Sequence, residues 1–282
     1  MKIAITAVSG HLGRAIAIEA INTLGRDRII GLARTPDNVK INGIEIRKGD
    51  YNQPDTLETS LQGVNALILV SGMDAPQKRI IQHQNVINAA KKSGVKRIAY
   101  TSIYGEPNNT TFDSIILANR QTEIDIQNSG LQWTIGRNGL YLEADLESIK
   151  QYKQNNLITN CAGEGKCAYT TRRELARAYI EMITNTNHLS KIYNLCGPAI
   201  TQTELTQAIN YAFDLNLTYK AVNIEEYIKD RTTVHGKFLG EIIAGIYVCI
   251  QNNTFNVSSD FERVLGRPHQ SIAAQIMEYL QS

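Results

Sequence analysis

Thr6-Ala7-Val8-Ser9-Gly10-His11-Leu12-Gly13 follows directly on a short β-branched run, Ile3-Ala4-Ile5, and leads into apolar residues at helical spacing, Ile16, Ile18, Ala20 and Ile21. A buried strand, a glycine-bearing turn and a helix in that order make a βα unit, and the rest of the first half repeats it. Ile29-Ile30-Gly31-Leu32-Ala33 reads as a second strand and Ile44-Glu45-Ile46 as a third. Asp55 can cap a short helix through Leu61, and Ala66-Leu67-Ile68-Leu69-Val70 is a fourth strand. Pro76 opens a helix to about Lys92, with Lys91 and Lys92 at its C-terminal end and Gly94 just beyond. A strand from Arg97 to Thr101, a helix near 115–128 and a strand from Gln132 to Ile135 follow. Continuous apolar strands separated by helices imply a parallel sheet covered on both faces. Right-handed crossovers then give a doubly wound α/β fold of the Rossmann type.

After Gly136 the pattern loosens. Segments near 142–152, 173–183, 203–213 and 225–247 read as helical, with short strands such as Lys191 to Leu195 between them. The expected division is a Rossmann domain over 1–150 and a smaller, mainly helical lobe over 151–282, some of whose segments return to the sheet.

Composition narrows the function classes. The 282 residues suffice for a full core, and 43% hydrophobic against 20% charged content is that of a globular chain. Twenty-nine basic and 27 acidic residues leave a net charge of +2, which supplies no electrostatic reason for nucleic acid or an anionic membrane as partner. The longest apolar run, Ile242 to Ile250, is short of the roughly 20 residues that span a bilayer. Cys161, Cys167, Cys196 and Cys249 form no CxxC or Cys/His cluster, so no metal site is expected and free thiols in a reducing cytoplasm are.

The opening loop is suited to a pyrophosphate. Backbone N–H groups at a helix N-terminus face such a ligand and the helix dipole favours its charge. Gly10 and Gly13 occupy two positions of a glycine-x-x-glycine-x-x-glycine pattern, while Ala7 stands at the first. If that position requires positive φ, Ala costs on the order of 1 kcal/mol; if only small size, Ala is tolerated. The choice of dinucleotide is read at the end of the second strand, where NAD-binding proteins usually carry an acid. Here the strand ends Leu32-Ala33-Arg34 with no carboxylate. Arg34 can grip the 2′-phosphate of NADP(H) bidentately, or be an ordinary solvated arginine; Arg14 and Lys40 can assist. Asp50 is placed to meet the adenine, or to cap the next turn.

The catalytic signal is thinner. No tyrosine is followed four residues later by lysine, so the proton relay many reductases of this fold use has no sequence counterpart, and the five histidines are scattered. Direct hydride transfer to an electron-poor acceptor that takes its proton from water is the simplest remaining chemistry. Ser102 and Tyr104 beyond the fifth strand, and Asn138 and Tyr141 beyond the sixth, are candidates to line a substrate site, since ligands of such sheets bind at the carboxyl ends of the strands.

At these residues the sequence resembles the atypical short-chain dehydrogenases of the NmrA-like family, in particular its quinone-reductase and triphenylmethane-reductase branches. The matching pieces lie in order: Thr6-(x)3-Gly10-His11-Leu12-Gly13, Ala33-Arg34, Gly49-Asp50-Tyr51-Asn52-Gln53-Pro54, Gln82-His83-(x)-Asn85-Val86, Tyr100-Thr101, Thr122-Glu123, Arg137-Asn138-(x)2-Tyr141 and Tyr193-Asn194-Leu195. The resemblance implies NADPH on the loop from Thr6 through Ser9 and His11 to Gly13, its 2′-phosphate on Arg34, its adenosine near Asp50, Ser71 and Gly72, and its nicotinamide near Tyr100, Thr101 and Arg137. Asn119 stands where relatives often have a histidine, three residues before the Thr-Glu pair. Two readings follow: a reductase passing hydride from NADPH to a quinone or similar small molecule, or a non-catalytic NADP(H) sensor acting through a protein partner.

Overall fold

In the computed structural model, which describes residues 1–281, the first strand, β1 (Ile3–Ile5), is wholly buried and splits its side chains between two cores. Ile3 and Ile5 face one core, and Ala4 the other, as period-2 alternation requires of a strand covered on both sides. Helix α1 (His11–Leu24), strand β2 (Ile29–Ala33) and strand β3 (Glu45–Lys48) complete the first unit. The chain continues through α2 (Pro54–Ser60), β4 (Ala66–Val70), α3 (Pro76–Lys92), β5 (Arg97–Ile103), α4 (Asp113–Gln127) and β6 (Gln132–Asn138).

Beyond β6 the chain leaves the sheet as β7 (Leu140–Tyr141), α5 (Glu143–Glu147), α6 (Ile149–Asn155), β8 (Leu157–Asn160) and β9 (Lys166–Thr170). It then returns with α7 (Arg172–Thr184) and β10 (Lys191–Leu195). The seven strands lie in the order β10-β6-β5-β4-β1-β2-β3, every pair parallel. The order reverses between β1 and β4, the crevice where ligands of doubly wound sheets bind. Helices α1 and α7 cover one face, α2, α3 and α4 the other.

The lobe is finished by β11 (Ala199–Thr201), α8 (Gln202–Phe213), β12 (Thr218–Ala221), α9 (Ile224–His235), α10 (Lys237–Gln251) and, after α11 (Phe261–Leu265), which packs back on α7 and β10, by α12 (Ile272–Leu280). Besides its helices it carries two small sheets, β11-β9-β7 and β12-β8. All four cysteines are free and buried, and no helix among the described residues is long and apolar enough to cross a membrane.

Three local expectations shift. The third strand is β3, Glu45–Lys48, because pairing with β2 (Ile30 opposite Glu45) sets its register and an edge strand needs no apolar run. Asp55 lies in the first turn of α2, where Pro54 takes the opening position and Gln53 precedes it. The single helical segment expected near 225–247 is a hairpin, broken at Gly236 with φ +77°. A Cβ on Gly240 would lie 2.5 Å from the Thr232 backbone, so glycine there lets α10 fold back closely on α9.

Candidate functional site

Ala7 adopts φ +52°, so the place of the missing first glycine does require the left-handed region. Its carbonyl accepts from Gly10 N–H at 2.9 Å and closes the turn. A Cβ on Gly13 would lie 2.8 Å from the Thr6 carbonyl oxygen and 2.7 Å from the Ala7 carbonyl carbon, so only glycine lets α1 start this close to the loop. Helix α1 has no side-chain cap and no acid in its first turn, while Ser9, Gly10 and His11 are exposed beside it. Its first N–H groups and the positive end of its dipole are thus left to an anion. Leu12 points into the core. Thr6 is wholly buried and ties the loop to β4: its Oγ1 accepts from Val70 N–H at 2.9 Å and meets the Tyr51 hydroxyl, which also donates to the Val70 carbonyl at 2.8 Å. The cradle fits a pyrophosphate.

Arg34 is exposed at the end of β2 and forms no hydrogen bond or ion pair with a described residue. Its charge reaches Asp74, whose carboxyl sits below the usual range because of the Gln82 amide first, then Lys78 and Arg34. Arg14 Nη1 donates to the Lys40 carbonyl at 2.9 Å. Asp50 Oδ1 accepts from the backbone and side chain of Asn52 at 2.9 and 3.0 Å, so its carboxylate caps the turn and stays half-buried.

The turn after β4 is held by Thr101 and by two side chains, His83 and Asn119, to which the residue pattern assigns no role. Ser71 N–H donates to Thr101 Oγ1 at 2.9 Å, and Gly72 N–H donates to His83 Nε2 at 2.9 Å. Since His83 Nε2 accepts, its proton sits on Nδ1, which reaches Thr122 Oγ1 at 2.9 Å. Burial first, and the charge of Arg79 second, push His83 down to about 3, so it stays neutral and remains an acceptor. Asn119 is buried too. Its Oδ1 accepts from the hydroxyls of Tyr100 (2.6 Å) and Ser71 (3.2 Å), and its Nδ2 donates to the Ile115 carbonyl at 2.8 Å. An amide can donate and accept at once, which explains how it fills this position.

At the ends of β5 and β6 the organising group is Glu123, 2% exposed. Its Oε1 accepts from Ser102 Oγ at 2.5 Å, Arg120 Nη1 at 2.9 Å and Arg137 Nε at 3.0 Å, while its Oε2 accepts from Arg137 Nη2 at 2.8 Å. Arg120 also donates to the carbonyls of Ile103 (2.9 Å) and Gly105. Arg137 extends to a pocket of about 250 Å³ that it lines with Glu106, Asn108, Asn194 and Thr254. Asn138 Nδ2 reaches the Tyr141 hydroxyl at 3.1 Å and its Oδ1 accepts from Tyr179 at 2.6 Å.

Ser102 and Arg137 are therefore joined through Glu123, and Asn138 lies against Tyr141. Tyr104 is not with them. It is wholly buried in the lobe core, stacked on Phe255 at 4.8 Å with its hydroxyl 3.2 Å from Cys167 Sγ, because the chain turns inward after Ile103. Tyr100 is equally buried and reaches Asn119 rather than open space. Burial raises the phenols of Tyr100, Tyr104 and Tyr141, so each stays protonated at neutral pH. The arrangement can bind and orient; it offers no activated tyrosine. His83 and Glu123 lie in the Gln82-His83 and Thr122-Glu123 pairs and Asn119 stands three residues before the latter, whereas Arg120 carries no sequence signal; the roles of all four depend on α3 and α4 packing beside β4 and β5.

A family model described as NAD(P)H-binding matches residues 8–186. Quinone oxidoreductase 2 of Escherichia coli K12 is 31% identical over 280 residues, 97% of each chain. Among solved structures, an NADPH-dependent quinone oxidoreductase of Escherichia coli complexed with NADPH superposes at a TM-score of 0.88, with 30% identity over 99% of this chain and 100% of that one. Citrobacter sp. triphenylmethane reductase complexed with NADP(H) gives a TM-score of 0.89 with 28% identity, covering 99% of each. A glycine-bearing cradle at the switch point of a parallel sheet, a free arginine after the second strand and matches along nearly the whole chain all agree: the chain belongs to the NAD(P)H-binding family.

Proposed function

We propose that this chain is an NADPH-dependent reductase that passes hydride to a quinone or a similar electron-poor small molecule, without a Tyr–Lys relay. The single observation that carries the cofactor choice is Arg34, a free arginine where a ribose-binding acid would favour NAD. The first turn of α1 and Gly13 hold the pyrophosphate. Arg34 takes the 2′-phosphate, Ser71 and Gly72 border the adenosine side of the cleft, and Thr101 and Arg137 border the nicotinamide side. NADPH supplies the hydride. This chain's residues position: His83 and Asn119 fix the turn after β4, and Glu123 fixes Arg137 and Ser102. Hydride and one proton from water convert a quinone to its hydroquinone, so no side chain has to carry the proton. Ser102, Asn138 and Tyr141 remain our candidates for the acceptor's surroundings. The dinucleotide lies on the Rossmann part of 1–150, and the acceptor lies between the strand ends that carry Ser102, Asn138 and Tyr141 and the lobe drawn mainly from 151–282.

Calorimetric titration with NADPH and NADH, followed by a quinone panel on the same sample, tests this. Preferential NADPH binding with turnover supports the reading. Tight NADPH binding with no turnover across the panel favours a redox sensor instead, and no binding defeats both.

A further inference from the structure

Between α5–α6 and the α9–α10 hairpin lies a cavity of about 510 Å³, about twice the pocket at the sheet ends and sharing no lining residue with it. Its walls include the rings of Tyr152, Tyr227 and Tyr247, the side chains of Ile243 and Ile246, and Asp145. Tyr227 and Tyr247 meet edge to face, centroids 5.3 Å apart. Asp145 is 2% exposed, and its one side-chain partner is the Tyr152 hydroxyl, which donates at 3.1 Å. No Lys, Arg or His among the described residues forms an ion pair with it. Arg231, on the same walls, is paired with Asp230 and lies over the Tyr227 ring at 5.4 Å. Glu226 adds a further acid and His235 completes the charged and titratable groups there.

A buried carboxylate with a single neutral donor is unfavourable unless something cationic reaches it. Tyrosine faces attract cations in addition, and the volume lies within the range of ligand cavities. We propose that this cavity is an accessory site for a small organic cation with an aromatic or aliphatic body, its charge paired with Asp145 and its body against Tyr227 and Tyr247. The site stands independently of the hydride chemistry. None of the residues that hold the dinucleotide lines it.

The test is calorimetric titration of the full chain, without nucleotide and near neutral pH, with benzyltrimethylammonium, which cannot lose its charge, and with benzyl alcohol as the uncharged probe. Saturable binding of the cation, about tenfold or more tighter than the alcohol and weakened about tenfold or more in Asp145→Asn, is the expected result. Ile246→Trp, which fills the cavity from the opposite wall, removes binding while NADPH affinity is retained. No saturable binding to the native chain, equal affinity for the two probes, or undiminished binding in both variants overturns the site. Loss of NADPH binding by the native chain would defeat the reductase reading and leave this one standing.

Discussion

Glu123 and Asp145 are both carboxylates 2% exposed, yet their surroundings are opposite. Glu123 receives a hydroxyl and two guanidinium groups within 3.0 Å, at the point where β5 and β6 end. Asp145, in the lobe, receives one phenol. A carboxylate surrounded by charged donors locks the geometry of everything bonded to it, here Ser102, Arg120 and Arg137. One with a single neutral donor locks little and is a load on the fold until a ligand supplies the missing charge. Burial alone therefore does not separate a framework acid from a binding acid; the number of donors does.

Removing the carboxylate that is best supplied breaks this contrast most severely. Glu123→Ala leaves Arg120 and Arg137 with the exposed Glu106 as their remaining ionic partner and is expected to lower unfolding stability by about 2–4 kcal/mol in urea titrations. A loss under about 1 kcal/mol would mean that the three groups do not act as a unit. The reverse is expected in the lobe. Burial pushes Asp145 up to about 6, so its protonated form is the one that the fold favours. The stability it contributes is complete below the unfolded value of about 4 and is lost as pH climbs through the folded value, about 3 kcal/mol in all. Asp145→Asn should remove that component of the pH dependence and raise stability near neutral pH. An unchanged pH profile would show that Asp145 is already paired.

The dinucleotide end supplies two smaller effects. Arg34→Ala should weaken NADPH by roughly 1.5–3 kcal/mol with NADH little changed, as measured by titration of both cofactors; equal losses would remove the 2′-phosphate role. Ala7→Gly relieves a left-handed alanine but loosens the unfolded chain. The net expectation is a gain of about 0.5–1 kcal/mol in stability with cofactor affinity equal or better. A loss of affinity would mean that the Ala7 methyl itself contacts the dinucleotide.

The sequence determined the sheet, because Ile29 to Ala33 and Ala66 to Val70 are too uniformly apolar for anything but strands covered on both faces. It also determined the loop, since a glycine-bearing turn between a first strand and a first helix has few other uses, and it singled out Ala7 as the position where strain would lie if φ were positive. The exposed place of Arg34 at the end of β2 was legible for the same local reason: it follows its strand directly. Tertiary structure alone decided the rest. Tyr104 follows β5 as closely as Arg34 follows β2, but turns inward to stack on Phe255, a partner about 150 residues away in the chain. His83 meets Gly72, Asn119 meets Ser71, and Glu123 gathers Ser102 and Arg137 only because α3 and α4 lie against β4 and β5. The hairpin at Gly236 and the cavity beside Asp145 likewise come from how closely α10 folds back on α9. Periodicity and local turn chemistry act over a few residues and are written in the chain; the pairing of a buried polar group is a contact across it, and appears only when the elements are packed.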